Sequence, residues 1–135
     1  MNMKKIAILL ICILITIGIS ACGNVSNVKI KEVKSEIYSK HDIDMAINSI
    51  KKEFRLYWHG CTLKEIYYAG DSVSKDAQDW ADRNNADEVI VLQSSFDVNA
   101  SGGDGSLEPN TAYDDWMWIL VRTHGGQWKH VDHGY

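Results

Sequence analysis

Three groups of side chains in this sequence have the types and spacing to do chemistry. The first is an oxygen-rich loop. Asp97, Asn99, Ser101 and Glu108 fall at positions 1, 3, 5 and 12 of one stretch, with Gly102 at position 6, which is the spacing of an EF-hand calcium loop. Calcium requires roughly six to eight oxygens converging at about 2.5 Å, and a glycine kink lets a short loop supply them. Two features weigh against it. Asp104 stands at position 8, where the motif carries an aliphatic residue, and residues 89–92 read as strand where the motif has a helix. A flexible connection between strands is the plainer use of the same residues.

The second group is the late histidines, His124, His130 and His133, with Asp132 among them. On a regular strand His130 and Asp132 share a face and His133 points away. Zinc takes three or four converging nitrogen or sulfur ligands, and this spacing alone supplies two at most. His59 and Cys61 join them only if the fold carries them there. Cys61 is the third group, a nucleophile if a histidine stands beside it. No base or oxyanion site is marked for it, and an unpaired thiol at the start of a strand has the profile of a small buried hydrophobe.

Aromatic residues set the next constraint. All 13 lie beyond residue 21, with Trp58, Trp80, Trp116, Trp118 and Trp128 among them. A tight hairpin at Gly125-Gly126 sets Thr123 opposite Trp128, Val121 opposite His130 and Ile119 opposite Asp132. Both faces of that hairpin are then partly apolar, unlike a sheet with one wet face. Trp116, Trp118, Leu120 and Val131 are assigned to the face that covers a helix. Trp128, His130 and Asp132 fall on the other face as ligand-binding candidates on a concave or partner-covered surface, unless a second helix buries that side too.

These residues need elements to hold them. Ser39, with Asp42 three residues on, reads as a helix N-cap. Behind it Ile43, Ala46, Ile47, Ile50 and Phe54 recur at helical spacing until His59-Gly60. Residues 62–68 alternate as a strand, and Ser74 caps a short helix carrying Ala77, Trp80 and Ala81. Residues 88–98 form the clearest strand, and residues 116–123 and 128–132 the hairpin. The order α-β-α-β-β-β predicts an α+β domain, a long N-terminal helix packed on a curved, mostly antiparallel sheet of about four strands.

The N-terminus carries an address. Lys4 and Lys5 precede an apolar run of 14 residues, 6–19, short of the roughly 20 that span a bilayer and in the form of a secretory signal. Ile19-Ser20-Ala21-Cys22 resembles the bacterial lipobox, whose cysteine thiol receives a diacylglyceryl group before cleavage on its N-terminal side. The resemblance implies a signal peptide over 1–21, lipid attachment at Cys22, a lipidated cysteine and tether over 22–36, and a single α+β domain over 37–135. It places the chain at the extracytoplasmic face of the cell membrane. Cys12 leaves with the signal and Cys22 is taken by lipid, so Cys61 has no intramolecular disulfide partner. The 114 residues left carry 12 basic against 18 acidic side chains, a net charge of −6, which suits one domain and does not suit nucleic acid.

Asp79-Trp80-Ala81-Asp82-Arg83, residues 86–92, residues 101–107 and Gly126-Gln127-Trp128-Lys129-His130-Val131-Asp132-His133-Gly134-Tyr135 resemble an uncharacterised family of small lipoproteins from low-GC Gram-positive bacteria. The Trp-Lys-x-Val-Asp-x-Gly ending is also similar to cystatin-like and nuclear-transport-factor-2-like domains, which implies a roll and no particular chemistry. The expected function is a membrane-anchored extracytoplasmic binding or interaction module without catalysis. Its partners are the membrane, through Cys22, and a protein or small-molecule ligand. Two alternatives stand beside it: a calcium-binding domain using the 97–108 loop, and a small enzyme with a roll-type pocket using His130 with Asp132 or Cys61. Calcium apart, no cofactor is expected.

Overall fold

The computed structural model describes residues 22–135, so the signal-peptide expectation for 1–21 lies outside the described residues. The fold is α+β. Its elements in chain order are β1 (Lys29–Lys31), α1 (Lys40–Tyr57), β2 (Cys61–Tyr68), α2 (Asp71–Asp76), α3 (Gln78–Arg83), β3 (Glu88–Val98), β4 (Thr111–Arg122) and β5 (Lys129–Gly134). The five strands make one sheet in sequence order. β1 runs parallel to β2, and every other pairing is antiparallel.

The capping box forms as expected. Ser39 Oγ accepts from the Asp42 N–H at 3.1 Å, and the Asp42 carboxylate accepts from the Ser39 N–H at 3.2 Å. From there Ile43, Ala46, Ile47, Ile50 and Phe54 are all buried, one apolar stripe along α1. The stripe lies on the sheet face formed by Leu63 and Ile66 of β2, Ile90, Leu92 and Phe96 of β3, and Trp118 and Leu120 of β4. Phe54 stands at the centre. Its ring is 5.8 Å from Phe96 and 6.4 Å from Trp118, both edge-on, and it stacks on Trp58 at 5.5 Å. The other sheet face is covered as well: Ala81 packs with Val89 and Val121, and Trp80, Ile119 and Val131 close around them. Residues 89–92 are consequently buried without alternation, the pattern of a strand with both faces covered.

Three bulges bend the sheet and re-aim side chains. Between Leu63 and Glu65, Lys64 is extra. Opposite Ser95, Asp114 and Asp115 both stand in β4, Asp115 with a φ of 56°, so that Tyr113 and Trp116 keep the same face. The third decides the hairpin. Leu120 pairs with His130 and Ile119 with Asp132, leaving Val131 between them.

That third bulge corrects the expected face assignment. His130 lies on the α1 side, Val131 and Asp132 on the α3 side, and Trp128 joins the helix-side core with its Nε1–H donating to Asp42 O at 3.0 Å. Other boundaries also move. β4 begins at Thr111 rather than Trp116, because Thr111 and Ala112 pair with Val98 and Asp97. Ser74 caps nothing: α2 begins at Asp71, and buried Ser74 Oγ accepts from the Val91 N–H at 3.1 Å.

Residues 23–36, expected as a tether, are docked on the domain. Gly23 N donates to Arg55 O at 3.0 Å, Asn24 N to Cys61 O at 2.9 Å, and Leu63 N to Asn24 O at 2.9 Å. Three residues of β1 then pair with Glu65, Ile66 and Tyr67. All three are exposed. The order comes from main-chain bonds, which leave no hydrophobic period in the sequence to read.

Phe54→Ala removes the central ring between helix and sheet. Urea unfolding of the variant should show a loss of about 3–5 kcal/mol, as for large-to-small core changes; a loss below about 1 kcal/mol would contradict this packing.

Candidate functional site

Two concavities flank α1. The larger is a groove of about 1010 Å³ between residues 30–36 and the helix. Val33, Tyr38, Ile43 and Ile47 give it an apolar floor, while Lys31, Glu32, Lys34, Glu36, Lys40 and Asp44 supply charges of both signs. Asp71 fixes the chain at one end. Its Oδ1 accepts from Ser35 Oγ at 2.6 Å and Tyr68 Oη at 2.8 Å, and its Oδ2 from the Glu36 N–H at 2.9 Å. The Ser35 hydroxyl foremost, then the Glu36 amide, hold the Asp71 carboxyl below its ordinary range. Asp71 is therefore ionised and spent on holding the strap.

The smaller pocket, about 340 Å³, opens beside the C-terminal turn of α1 and is lined by Trp58, Cys61, Asp104, Trp116 and His133 among others. Behind it runs a chain of titratable groups. Glu53 Oε2 is 2.6 Å from His130 Nδ1, and His130 Nε2 is 3.0 Å from Asp132 O and 3.2 Å from His133 Nδ1. Both ring nitrogens of His130 are thus engaged, one by the Glu53 carboxylate and the other by the Asp132 carbonyl. His133 stacks 5.8 Å from Trp116 and lies 5.1 Å from Trp58. Burial among these rings, and then the neighbouring His130, lower its pKa from the ordinary 6.5. Trp116 Nε1 is buried here with no hydrogen-bond partner among the described residues.

Such a relay could move a proton, but the nucleophile beside it is quiet. Cys61 is buried, and burial foremost, with Asp104 adding to it, pushes the thiol up to about 11. At neutral pH it stays a thiol with its Sγ 3.5 Å from His59 O, the inert state of a structural cysteine.

The expected pairings sort out as follows. His130 touches the backbone of Asp132, not its carboxylate. Its acid is Glu53 on α1, which no local spacing links to it. Trp128 is 7% exposed and packs 5.5 Å from Tyr38. His124 leaves the other histidines for Asp87, 3.0 Å away. In the oxygen-rich loop, Asp97 is the penultimate residue of β3, its carboxylate 3.6 Å from Lys64 Nζ. Asn99 Oδ1 accepts from both the backbone N–H and the hydroxyl of Ser101, and the Glu108 N–H donates to Tyr113 Oη at 3.0 Å. Among the described residues no three His, Cys, Asp or Glu side chains are grouped to hold a metal ion.

Arg122, the last residue of β4, is a junction with a 9% exposed side chain. Its Nε and Nη2 donate to Glu88 at 2.6 and 3.3 Å, its Nη1 to Asp42 Oδ1 at 3.0 Å, and its guanidinium lies 4.2 Å from the Trp128 ring. The Arg122 bond is the leading reason the Asp42 carboxyl is lowered.

No family, curated protein or solved structure matches this chain. Among the described residues no helix is long and apolar enough to cross a membrane.

The lowered His133 pKa fixes the sign of one pH effect. The unfolded chain takes up the proton first as pH falls, so stability present above about pH 6.5 declines on acidification through the folded pKa. Thermal melts between pH 7.5 and 5 should show a falling midpoint, and His133→Asn should flatten that slope relative to wild type. Parallel slopes would refute it.

Proposed function

We propose that the chain is a lipid-anchored extracytoplasmic binding module, acylated at Cys22 and offering the groove beside α1 to a ligand. One observation carries the reading: a lipobox-like Ile19-Ser20-Ala21-Cys22 ends on an exposed cysteine, and the fold starts at the next residue, with Gly23 bonded to Arg55. A thiol at the margin of the fold is reachable by a modifying enzyme and carries two acyl chains away from the core, and two chains suffice for durable residence.

Support for binding comes from the groove. An apolar floor ringed by fixed charges of both signs suits a peptide segment or an amphipathic small molecule, the usual build of a recognition cleft. The resemblance of residues 19–22 to a lipobox accords with the same reading.

Cells fed radiolabelled palmitate should incorporate label into the chain and carry it in the membrane fraction, with both lost in Cys22→Ala. Unlabelled wild-type protein, or label kept by the variant, defeats the anchor. For the groove, the probe is 8-anilinonaphthalene-1-sulfonate. It should brighten with the native domain and bind several-fold more weakly to Ile30→Ser at an unchanged melting temperature. Native protein that leaves the dye dark defeats the binding reading.

A further inference from the structure

We infer that this protein meets the membrane through one end of its fold, the last two turns of α1, and that its partner there is an anionic phospholipid surface. The inference rests on the acylation proposed at Cys22 and adds an orientation to it.

The leash has almost no length. A flexible tether over residues 23–36 would span ~20 Å between its ends, enough for the domain to tumble. Gly23 and Asn24 are instead bonded to Arg55, Cys61 and Leu63, so a single peptide step of about 3.8 Å separates Cys22 from docked backbone. The close fit demands glycine. A Cβ at position 23 would lie 2.2 Å from Phe54 O and 2.8 Å from Trp58 O. The Gly23 N–H also satisfies the Arg55 carbonyl, one of the acceptors a helix C-terminus leaves open.

That end of the molecule suits the surface it would meet. Leu56 and Tyr57 are 44% and 69% exposed, an aliphatic and an aromatic side chain of the kind that settles at the headgroup level. Lys51, Lys52 and Arg55 project from the same two turns, and none of them forms an ion pair among the described residues, whereas Lys40 at the other end of α1 is paired with Asp44 and Glu32. The one carboxylate in those turns, Glu53, is held by His130. Asp104 and Glu108 lie on the loop that begins where Asn99 N donates to Gly60 O, and they bound the patch on that side. For a domain of net charge −6, these three uncompensated cations select the face that an anionic bilayer attracts.

The test bypasses cellular acylation. The polypeptide 22–135, which contains the whole described fold, is joined through the exposed Cys22 to maleimide-bearing lipid in phosphatidylcholine vesicles with or without phosphatidylglycerol. Buried Cys61, with its thiol near 11, does not compete. Lysine acetylation is then read residue by residue by mass spectrometry. With phosphatidylglycerol present, Lys51 and Lys52 should react several-fold more slowly than in the unattached protein. Lys75 and Lys129, at the opposite end of the strands, should be unchanged. Gly23→Ala should relax the protection by releasing the leash, and Leu56→Ser with Tyr57→Ser, both exposed positions, should relax it without lowering the melting temperature. Protection spread evenly over all lysines, protection centred on Lys75 or Lys129, or protection indifferent to both sets of substitutions overturns the orientation. Missing palmitate in cells would defeat the anchor alone, and uniform protection on vesicles the orientation alone.

Discussion

A single helix has to bury five apolar side chains, and only a sheet that bends toward it on three strands can do so. Everything else in the molecule follows from that fit. Phe54 reaches Phe96, Trp58 and Trp118, and each of β2, β4 and β5 carries a bulge that turns the strand and resets which residues beyond it face inward. The bulges also bring Tyr113, Trp116, His130 and His133 to the helix side. The aromatic wall of the smaller pocket is therefore a by-product of the curvature that closes the core.

Charge is arranged around the same helix. At its N-terminal end Asp42 closes the capping box, accepts from Arg122 and lends its carbonyl to Trp128. In its last turns Glu53 anchors His130. These two carboxylates pin the hairpin of β4 and β5 to α1 from both ends, which leaves the exposed cations of the helix to act outward. A net acidic domain thus keeps one locally basic end.

What the sequence showed in advance, and what it hid, divides along the range of the interactions. The stripe from Ile43 to Phe54, the Ser39 cap and the strand at 88–98 were legible because each is written in residues a few positions apart. Of the four residues assigned to the helix-covering face, Trp116, Trp118 and Leu120 lie there, whereas Val131 faces α3. Beyond Leu120 the register slipped by one residue at Val131, and a slip of one exchanges faces, so His130 and Trp128 were assigned to the wrong side. Glu53 with His130, Arg122 with Asp42 and Glu88, and Asp71 with Ser35 join residues far apart in the chain, and nothing local announces them. The strap of residues 23–36 was missed for a different reason. Its order rests on backbone hydrogen bonds, to which side-chain periodicity is blind.

β1 is short, and its three side chains, Lys29, Ile30 and Lys31, all face water. Yet it lies over part of β2, an eight-residue strand containing Ile66, Tyr67 and Tyr68. Bare, that strand would offer a ready template for pairing with another polypeptide. Two lysines on a three-residue edge make a poor template in its place. The segment that ties the domain down thereby also guards it: molecules crowded side by side stay separate instead of zipping into filaments.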